Sequence, residues 1–302
     1  IDALTLGGPP IDHITVFAGG RRVHASLPGQ CMGVSRRRLD SLLRARAEAA
    51  GAILRRGVAV RTAEAGRLLL ADGEGINADT LFLATGKRDL RGLPRDHPPA
   101  ADPEIGLRLR LPPDPARNRA IGGAIELHLF TRGYLGLLVQ EDGHANACMA
   151  VRKSLLRRGG GSAHGLLAML ASQEDGLAQR LAGAEIVAAD AIGPVPYGWI
   201  ARDTPPGLFR IGDQAACIPS LAGEGIGIAL ASAEGAAMAW KAQGREGAGV
   251  YQRRLARTAR CPIATAGLAR NLATSAALPP SLVPFALRIP GLAALLVRLT
   301  RI

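Results

Sequence analysis

The sequence predicts a mixed α/β protein in which strand–helix segments flank a stretch of antiparallel strands. Short, largely apolar runs at 81–83 and 208–211 end in small residues and lead into turns, which is typical of buried strands. Between these runs, apolar residues alternate with a period of two, as in a half-buried antiparallel sheet, at 105–111, 125–129, 134–139 and 145–151. A chain of 302 residues is long enough for the core of one large or two ordinary domains.

The first part of the chain predicts a hairpin, a helix and several short strands. A hairpin is expected over 14–27, with its turn at Gly19-Gly20. Apolar residues then recur at helical spacing, which predicts a helix that opens after Ser35 and ends at Gly51. Strands follow at 58–60, 67–70, 76 and 79–83.

The later part of the chain is predicted to be largely helical. Helices are expected at 163–172 and 175–183, and a strand at 184–189 leads back to 208–211. From residue 251 the spacing is helical again, with breaks expected at Pro262, Pro279, Pro280, Pro284 and Pro290. Near the end of the chain, apolar residues at helical spacing form a stripe with two arginines beside it: Leu292, Leu295, Leu296 and Leu299, with Arg298 and Arg301. This stripe can pack in a core, which we expect, or lie on a membrane surface.

Composition excludes several classes of protein. The formal net charge of +12 suggests nucleic-acid binding, but the arginines are scattered and aromatic residues make up only 3%. We therefore expect no nucleic-acid partner. The cysteines form no C-x-x-C pair, so neither a metal site nor a disulfide framework is expected, as in a reducing cytoplasm; they are Cys31, Cys148, Cys217 and Cys261. No signal peptide and no apolar run of membrane-spanning length is visible.

The stretch 208–227 carries the most informative pattern. A buried strand ends at Gly212-Asp213, a turn with Pro219 follows, and a Gly-x-Gly segment opens a helix of small residues. A carboxylate at a strand end can accept hydrogen bonds from sugar hydroxyls. A helix N-terminus preceded by glycines offers free N–H groups and a positive dipole end. The alternative is an ordinary strand–turn–helix with a capped start.

This stretch resembles the second flavin-binding signature of the para-hydroxybenzoate hydroxylase and geranylgeranyl reductase superfamily. The resemblance implies contacts to FAD from Gly212, Asp213, Pro219, Gly223, Gly225 and Ile226. The sequence Ala84-Thr85-Gly86 resembles the Ala-Thr-Gly signature of the same enzymes, which adds Thr85 and Gly86 to the expected contacts.

The helix that opens after Ser35 resembles a helix whose first basic residue reaches the cofactor in that superfamily. Arg36 is therefore a candidate FAD ligand, or else one of three solvent-exposed arginines. Lys87 and Arg91 could contact phosphate or an acidic substrate, but we expect them to be solvated linker charges.

The resemblance implies a discontinuous Rossmann-like FAD-binding domain with an inserted antiparallel substrate domain and a C-terminal helical segment. The expected ranges are 1–98 and 204–245 for the FAD-binding domain, 99–203 for the substrate domain and 246–302 for the helical region. The chain begins with Ile1 and contains no G-x-G-x-x-G after an N-terminal strand. We interpret it as lacking the first βαβ unit, so a degenerate flavoprotein is an alternative.

The implied activity is that of an FAD-dependent oxidoreductase acting on an apolar or aromatic small molecule. It would transfer hydride as a reductase or hydroxylate through a flavin C4a-hydroperoxide as a monooxygenase, with NAD(P)H as a possible electron donor. A flavin-dependent halogenase ranks third, because the Trp-x-Trp-x-Ile-Pro element of many halogenases is absent. The candidate proton donors are His128, Tyr134 and Tyr197, each of which can instead be structural.

Two further expectations concern reactivity and location. Cys217 follows the Gly-Asp turn and could be redox-active, although a packing role is expected. The protein is expected in the cytoplasm. An alternative to the enzyme hypothesis is a non-catalytic basic protein that associates with membrane surfaces through residues 281–302. The oligomeric state is not predicted.

Overall fold

The computed structural model describes residues 2–64, 66–98, 100–277, 282–289 and 291–302, with their side chains except those of Pro28 and Ala293. It confirms the mixed α/β class. The strands in chain order are β1 (Pro10–Ala18), β2 (Arg21–Met32), β3 (Val60–Glu64), β4 (Arg67–Leu70), β5 (Gly75–Asn77), β6 (Leu81–Leu83), β7 (Glu104–Leu111), β8 (Ala124–Phe130), β9 (Gly133–Val139), β10 (Ala145–Arg152), β11 (Ala188–Ile192) and β12 (Leu208–Arg210).

The helices follow the predicted pattern closely, with additional short ones. In chain order they are α1 (Ala3–Leu6), α2 (Arg36–Ala49), α3 (Pro115–Ile121), α4 (Lys153–Arg158), α5 (Ala163–Ala171), α6 (Asp175–Leu181), α7 (Gly225–Gln243), α8 (Gly247–Ala273), α9 (Leu282–Leu287) and α10 (Leu292–Thr300). The chain divides into two compact units, the first with residues 1–54, 100–194 and 272–294, the second with 55–99, 195–271 and 295–302.

The first unit is built on a seven-stranded sheet with the order β11-β7-β10-β9-β8-β1-β2. Neighbouring strands are antiparallel except β1 and β8, which run parallel with Ile14 beside Ile125. The period-two pattern places alternate residues on one buried face, where they pack against α5 and α6. This core includes Leu109, Leu111, Leu135, Leu137, Val151, Leu166, Leu170 and Leu177.

The second unit contains the antiparallel sheet β3-β4-β5 and the parallel pair β6-β12. The long helices α7 and α8 supply about half of its buried apolar residues. Phe209 packs with Ala236 and Tyr251, while Ile228 packs with Ile263. Because α7 is rich in Ala and Gly, neighbouring elements can approach its backbone closely.

Several expectations about the later part of the chain are wrong. The strand predicted at 184–189 is β11, at Ala188–Ile192, because its pairing with β7 begins only opposite Arg110. Pro262 lies inside α8 and does not end it, and the next residue, Ile263, is buried in the core of the second unit. Pro284 lies in the first turn of α9, where no N–H is needed.

The tail stripe also differs from the expected core packing. Leu295 and Leu299 of α10 are 50% and 41% exposed. The breaks predicted at Pro279, Pro280 and Pro290 lie outside the described residues. Strands β1 and β2 join the sheet formed by β7 to β11. The expected domain ranges stay a prediction.

Candidate functional site

The carboxyl edge of the parallel pair β6-β12 gathers most of the motif residues of the second unit. Leu83 pairs with Arg210 at the end of the two strands, and the N–H of Ile211 donates to the carbonyl of Leu83 at 3.1 Å. Parallel strands bring their carboxyl ends to the same edge, so the turns that follow them become neighbours. Residues 84–89 and 211–214 therefore lie side by side.

Asp213 projects from the second of these turns. Its side chain is only 19% exposed, and its Oδ2 accepts a hydrogen bond from Lys87 Nζ at 3.1 Å. The carboxylate is thus held within the site and does not face bulk water. Lys87 is a partner of Asp213 across the two turns, so its expected role as a solvated linker charge is wrong.

The buried side chain of Arg95 connects the two turns through hydrogen bonds to their backbone. Its guanidinium, with the side chain 2% exposed, donates to the backbone carbonyls of Gly86 (3.2 Å) and Asp213 (3.1 Å) and to that of Lys87. It also donates to Asp89 Oδ1 at 2.7 Å. A planar guanidinium can satisfy several acceptors at once, which a lysine in the same place cannot do.

Gln214 reinforces this link. Its buried amide donates to the carbonyls of Gly86 (3.0 Å) and Arg88 (2.7 Å) and accepts from Arg210. The indole of Trp199 lies near the guanidinium groups of Arg95 and Arg210, at 5.9 and 5.8 Å from its ring centroid. The two turns therefore share one hydrogen-bond network, and the ring of Trp199 lies near its two arginines.

The glycines at this edge adopt backbone conformations that other residues rarely take. Gly86, Gly212 and Gly223 have φ values of 65°, 59° and 73°. A side chain at Gly86, Gly223 or Gly225 would meet no atom within 4 Å. The backbone here therefore borders open space, as a cofactor cradle requires.

Helix α7 begins directly at this open space. The first hydrogen bond within it joins the N–H of Ile228 to the carbonyl of Glu224 at 2.9 Å, so the N–H groups of residues 225–227 precede the helical ladder. Pro219 is buried just before a 3-10 turn at Ser220–Ala222, and Ile226 is exposed at the helix start. The arrangement can receive an electron-rich ligand atom.

Two more predicted residues flank the site within this unit. The hydroxyl of Thr85 is exposed and donates to the carbonyl of Arg88 at 2.8 Å, which closes the first turn. The hydroxyl of Tyr197 lies 2.6 Å from Ser220 Oγ, beside the 3-10 turn after Pro219. Tyr197 is thus the one proton-donor candidate in the same unit as Asp213.

Cys217 is a packing residue. Its side chain is completely buried, and burial, followed by the nearby negative charge of Asp213, raises the pKa of the thiol to about 12. The thiol is therefore protonated at neutral pH, which agrees with the expected packing role. No group of three or more metal-ligating side chains occurs in the part of the chain that the structure describes.

The remaining candidates lie in the first unit. Arg36 is exposed at the start of α2 and forms an i,i+4 ion pair with Asp40 at 3.1 Å. His128 and Tyr134 are buried in the sheet. Contact of any of the predicted residues with FAD stays a prediction.

His128 belongs to a buried charged cluster that the pattern did not reveal. Its ring stacks on Phe17 at 4.5 Å, and its two nitrogens lie 3.6 Å from Glu126 and 3.5 Å from Glu174. Glu126 in turn accepts from Arg180 at 2.8 Å. Burial opposes the charged form, but the two carboxylates outweigh it and raise the pKa of His128.

Sequence reasoning missed Arg95 and Gln214, which tie the site together. Arg95 stands in a proline-rich loop, where local pattern cannot separate a buried arginine from an exposed one. Gln214 carries a weak signal, since it directly follows the Gly-Asp pair and a polar side chain at a buried strand end needs partners.

No protein-family model and no curated protein matches this chain. Its fold is similar to that of solved flavin-dependent enzymes. The flavin-dependent brominase Bmp2 is 15% identical with a TM-score of 0.72, and the match covers 97% of this chain and 77% of the brominase. The halogenase PltM is 10% identical with a TM-score of 0.70, over 87% of this chain and 59% of the halogenase.

A third similar structure is PqsL from Pseudomonas aeruginosa, described as a probable FAD-dependent monooxygenase. It is 15% identical with a TM-score of 0.65, over 93% of this chain and 81% of PqsL. The chain spans about three fifths of the length of PltM and of two further neighbours. At these identities the likeness establishes the fold alone.

Proposed function

We propose that this protein is an FAD-dependent oxidoreductase that acts on an apolar or aromatic small molecule. The observation that carries the proposal is the shielded carboxylate of Asp213, held at the carboxyl edge of a parallel strand pair beside the open, glycine-lined start of α7. The similar folds of flavin-dependent halogenases and of a probable FAD-dependent monooxygenase support it.

The residues present fit a flavin. Asp213 would accept hydrogen bonds from ribityl hydroxyls, and the open backbone at Gly223 and Gly225, near Pro219, would face the flavin ring. The first N–H groups of α7 would donate to the carbonyl-bearing edge of that ring.

Bound FAD supplies reversible electron transfer and oxygen activation, and the protein supplies binding and orientation. In this scheme Lys87 holds the carboxylate of Asp213 in place across the two turns. Tyr197, hydrogen-bonded to Ser220, is the proposed proton donor of this unit. NAD(P)H is the proposed electron donor.

The proposal is tested by titrating the purified full-length protein with FAD and following flavin fluorescence. The wild-type protein should bind FAD, and Asp213→Ala should weaken binding by about tenfold or more, because a charged acceptor is lost. Asp203→Ala, which removes an exposed carboxylate of the same unit, serves as the matched control. Failure of the wild-type protein to take up FAD would instead indicate a degenerate flavoprotein.

The reaction class is separated by product formation. An oxygenase consumes oxygen and adds oxygen to the substrate, whereas a reductase adds hydrogen without consuming oxygen. Halogenation is the other candidate, since two of the similar structures are a halogenase and a brominase. Turnover of an aromatic probe with reduced flavin, oxygen and bromide, read by mass spectrometry, distinguishes the three outcomes.

A further inference from the structure

The burial of Arg95 is difficult to explain by stability alone. Its guanidinium is almost fully buried, yet Asp89, the carboxylate with which it pairs, is half-exposed. Burying a charge is costly, and an apolar side chain of similar volume often stabilises a core as well or better. What an apolar residue cannot do is bind the three backbone carbonyls that Arg95 reaches.

Those three carbonyls belong to two separate turns. Gly86 and Lys87 follow β6, whereas Asp213 follows β12, more than a hundred positions later in the chain. A single nitrogen, Nη1 of Arg95, bridges the two turns, because it donates to the carbonyls of both Gly86 and Asp213. The guanidinium therefore fixes the spacing between the open glycine of one turn and the carboxylate-bearing residue of the other.

The surroundings hold the guanidinium in one orientation. Trp199 lies over it, and the indole Nε1 donates to the carbonyl of Asp96 at 3.1 Å, which fixes the ring beside the Arg95 loop. Gln214 binds the carbonyl of Gly86 as well, so this carbonyl accepts from two buried side chains. A bond set of this kind leaves the turns few alternative positions.

We propose that Arg95 is a positioning residue that fixes the Gly86 and Asp213 turns in the arrangement that receives the flavin. This inference rests on the proposed function. Arg95 itself does not contact the cofactor; it acts through the backbone of the two turns. Its loss lets the turns separate and lowers FAD affinity in protein that is still folded.

The test compares Arg95→Lys and Arg95→Met with the wild-type protein. Arg91→Met removes an exposed arginine from the same loop and is the matched control. We expect FAD affinity to fall by about tenfold or more in Arg95→Met and by less in Arg95→Lys, which keeps the charge but loses the planar fork. The circular dichroism of the bound flavin should change in both variants, since the ring would sit in an altered cradle.

Hydrogen exchange of the FAD-free protein provides a readout that does not depend on the cofactor. Arg95→Lys should speed exchange in both 84–89 and 211–217, whereas Arg91→Met should not. If the wild-type protein binds no FAD but both turns loosen together, the positioning role stands and the proposed function fails.

Other outcomes overturn the positioning role. If folded Arg95→Met binds FAD as the wild-type protein does and shows the same flavin dichroism, the positioning role is wrong and the proposed function stands. Should Arg95→Met fail to fold, Arg95→Lys decides by the same criteria. If neither variant folds, Arg95 is a core structural residue and the proposal is wrong.

Discussion

His128 shows how single buried charges tie stability to pH. Because its folded pKa is raised, the stability it contributes is fully present below its ordinary pKa of 6.5 and is lost as pH rises through the folded value. Glu126 behaves in the opposite sense. Burial raises its pKa, but the nearby charge of His128 and the hydrogen bonds from Arg180 outweigh this and lower it, so its contribution is present above 4.5 and is lost as pH falls. The cluster of Glu126, His128, Glu174 and Arg180 therefore stabilises most between those two values.

We predict that His128→Gln lowers the free energy of unfolding by about 2–4 kcal/mol near pH 6, because Glu126 and Glu174 lose a charged partner between them. The loss should shrink as pH rises past the folded pKa. Urea unfolding across this pH range measures it, with His164→Gln on α5 as a control outside the cluster. A deficit that does not change with pH would show that the pKa of His128 is the same in the folded and the unfolded protein.

Cys217 gives a second prediction at the residue scale. A thiol with a pKa of about 12 in a buried position has almost no thiolate at pH 8. Iodoacetamide should therefore label the exposed Cys148 and Cys261 in the native protein and leave Cys217 unmodified. Peptide mass spectrometry reads the result, and unfolding in urea should expose all three. Rapid native labelling of Cys217 would mean a reactive thiol.

Helix α2 shows how an element depends on a distant residue. It starts with Arg36, Arg37 and Arg38, an unfavourable set of charges at the positive end of a helix dipole. An anionic group at this end of the helix is therefore favourable. The structure supplies one from the β9–β10 turn, where Glu141 accepts from the Ser35 backbone N–H at 2.7 Å and hydroxyl at 2.6 Å. Local pattern could locate the helix and its Ser35 cap, but not a carboxylate 106 residues away.

We predict that Glu141→Gln destabilises the protein by about 1–2 kcal/mol, because the helix end loses its counter-charge and one strong acceptor. Glu48→Gln, an exposed carboxylate near the other end of α2, should change stability by less than about 0.5 kcal/mol. Chemical unfolding of both variants checks the pair. Equal effects would show that the contact with Ser35 contributes nothing specific.

At the scale of the whole molecule, the sequence predicted the helices and strands better than it predicted which of them pair or pack together. The alternating strands from β7 to β10 and the Gly19-Gly20 hairpin follow from period and turn chemistry. The parallel pairing of β1 with β8 does not, because it depends on packing between segments about 110 positions apart. Likewise, Gly212-Asp213 was recognisable from its motif, whereas Arg95 acquires its role only when β6 and β12 bring their turns together.

Charge and exposed apolar surface give the last prediction. No described helix is long and apolar enough to cross a membrane. The protein nevertheless carries a net charge of +12, and its α10 exposes Leu295 and Leu299 beside Arg298. On α9, the half-exposed Phe285 lies under the guanidinium groups of Arg21 and Arg288. Basic side chains around exposed apolar ones favour the surface of an anionic bilayer.

We therefore predict that the protein co-sediments with vesicles that contain phosphatidylserine and not with pure phosphatidylcholine vesicles. Binding should weaken as salt rises from about 0.05 to 0.5 M, since each basic residue near the surface contributes about 1 kcal/mol that ions screen. The double variant Leu295→Gln, Leu299→Gln should bind less, whereas Val187→Gln, at a similarly exposed apolar position (52%), should bind as wild type does. Equal binding to both vesicle types would show that the association does not depend on charge, and an absence of binding to either would contradict the prediction.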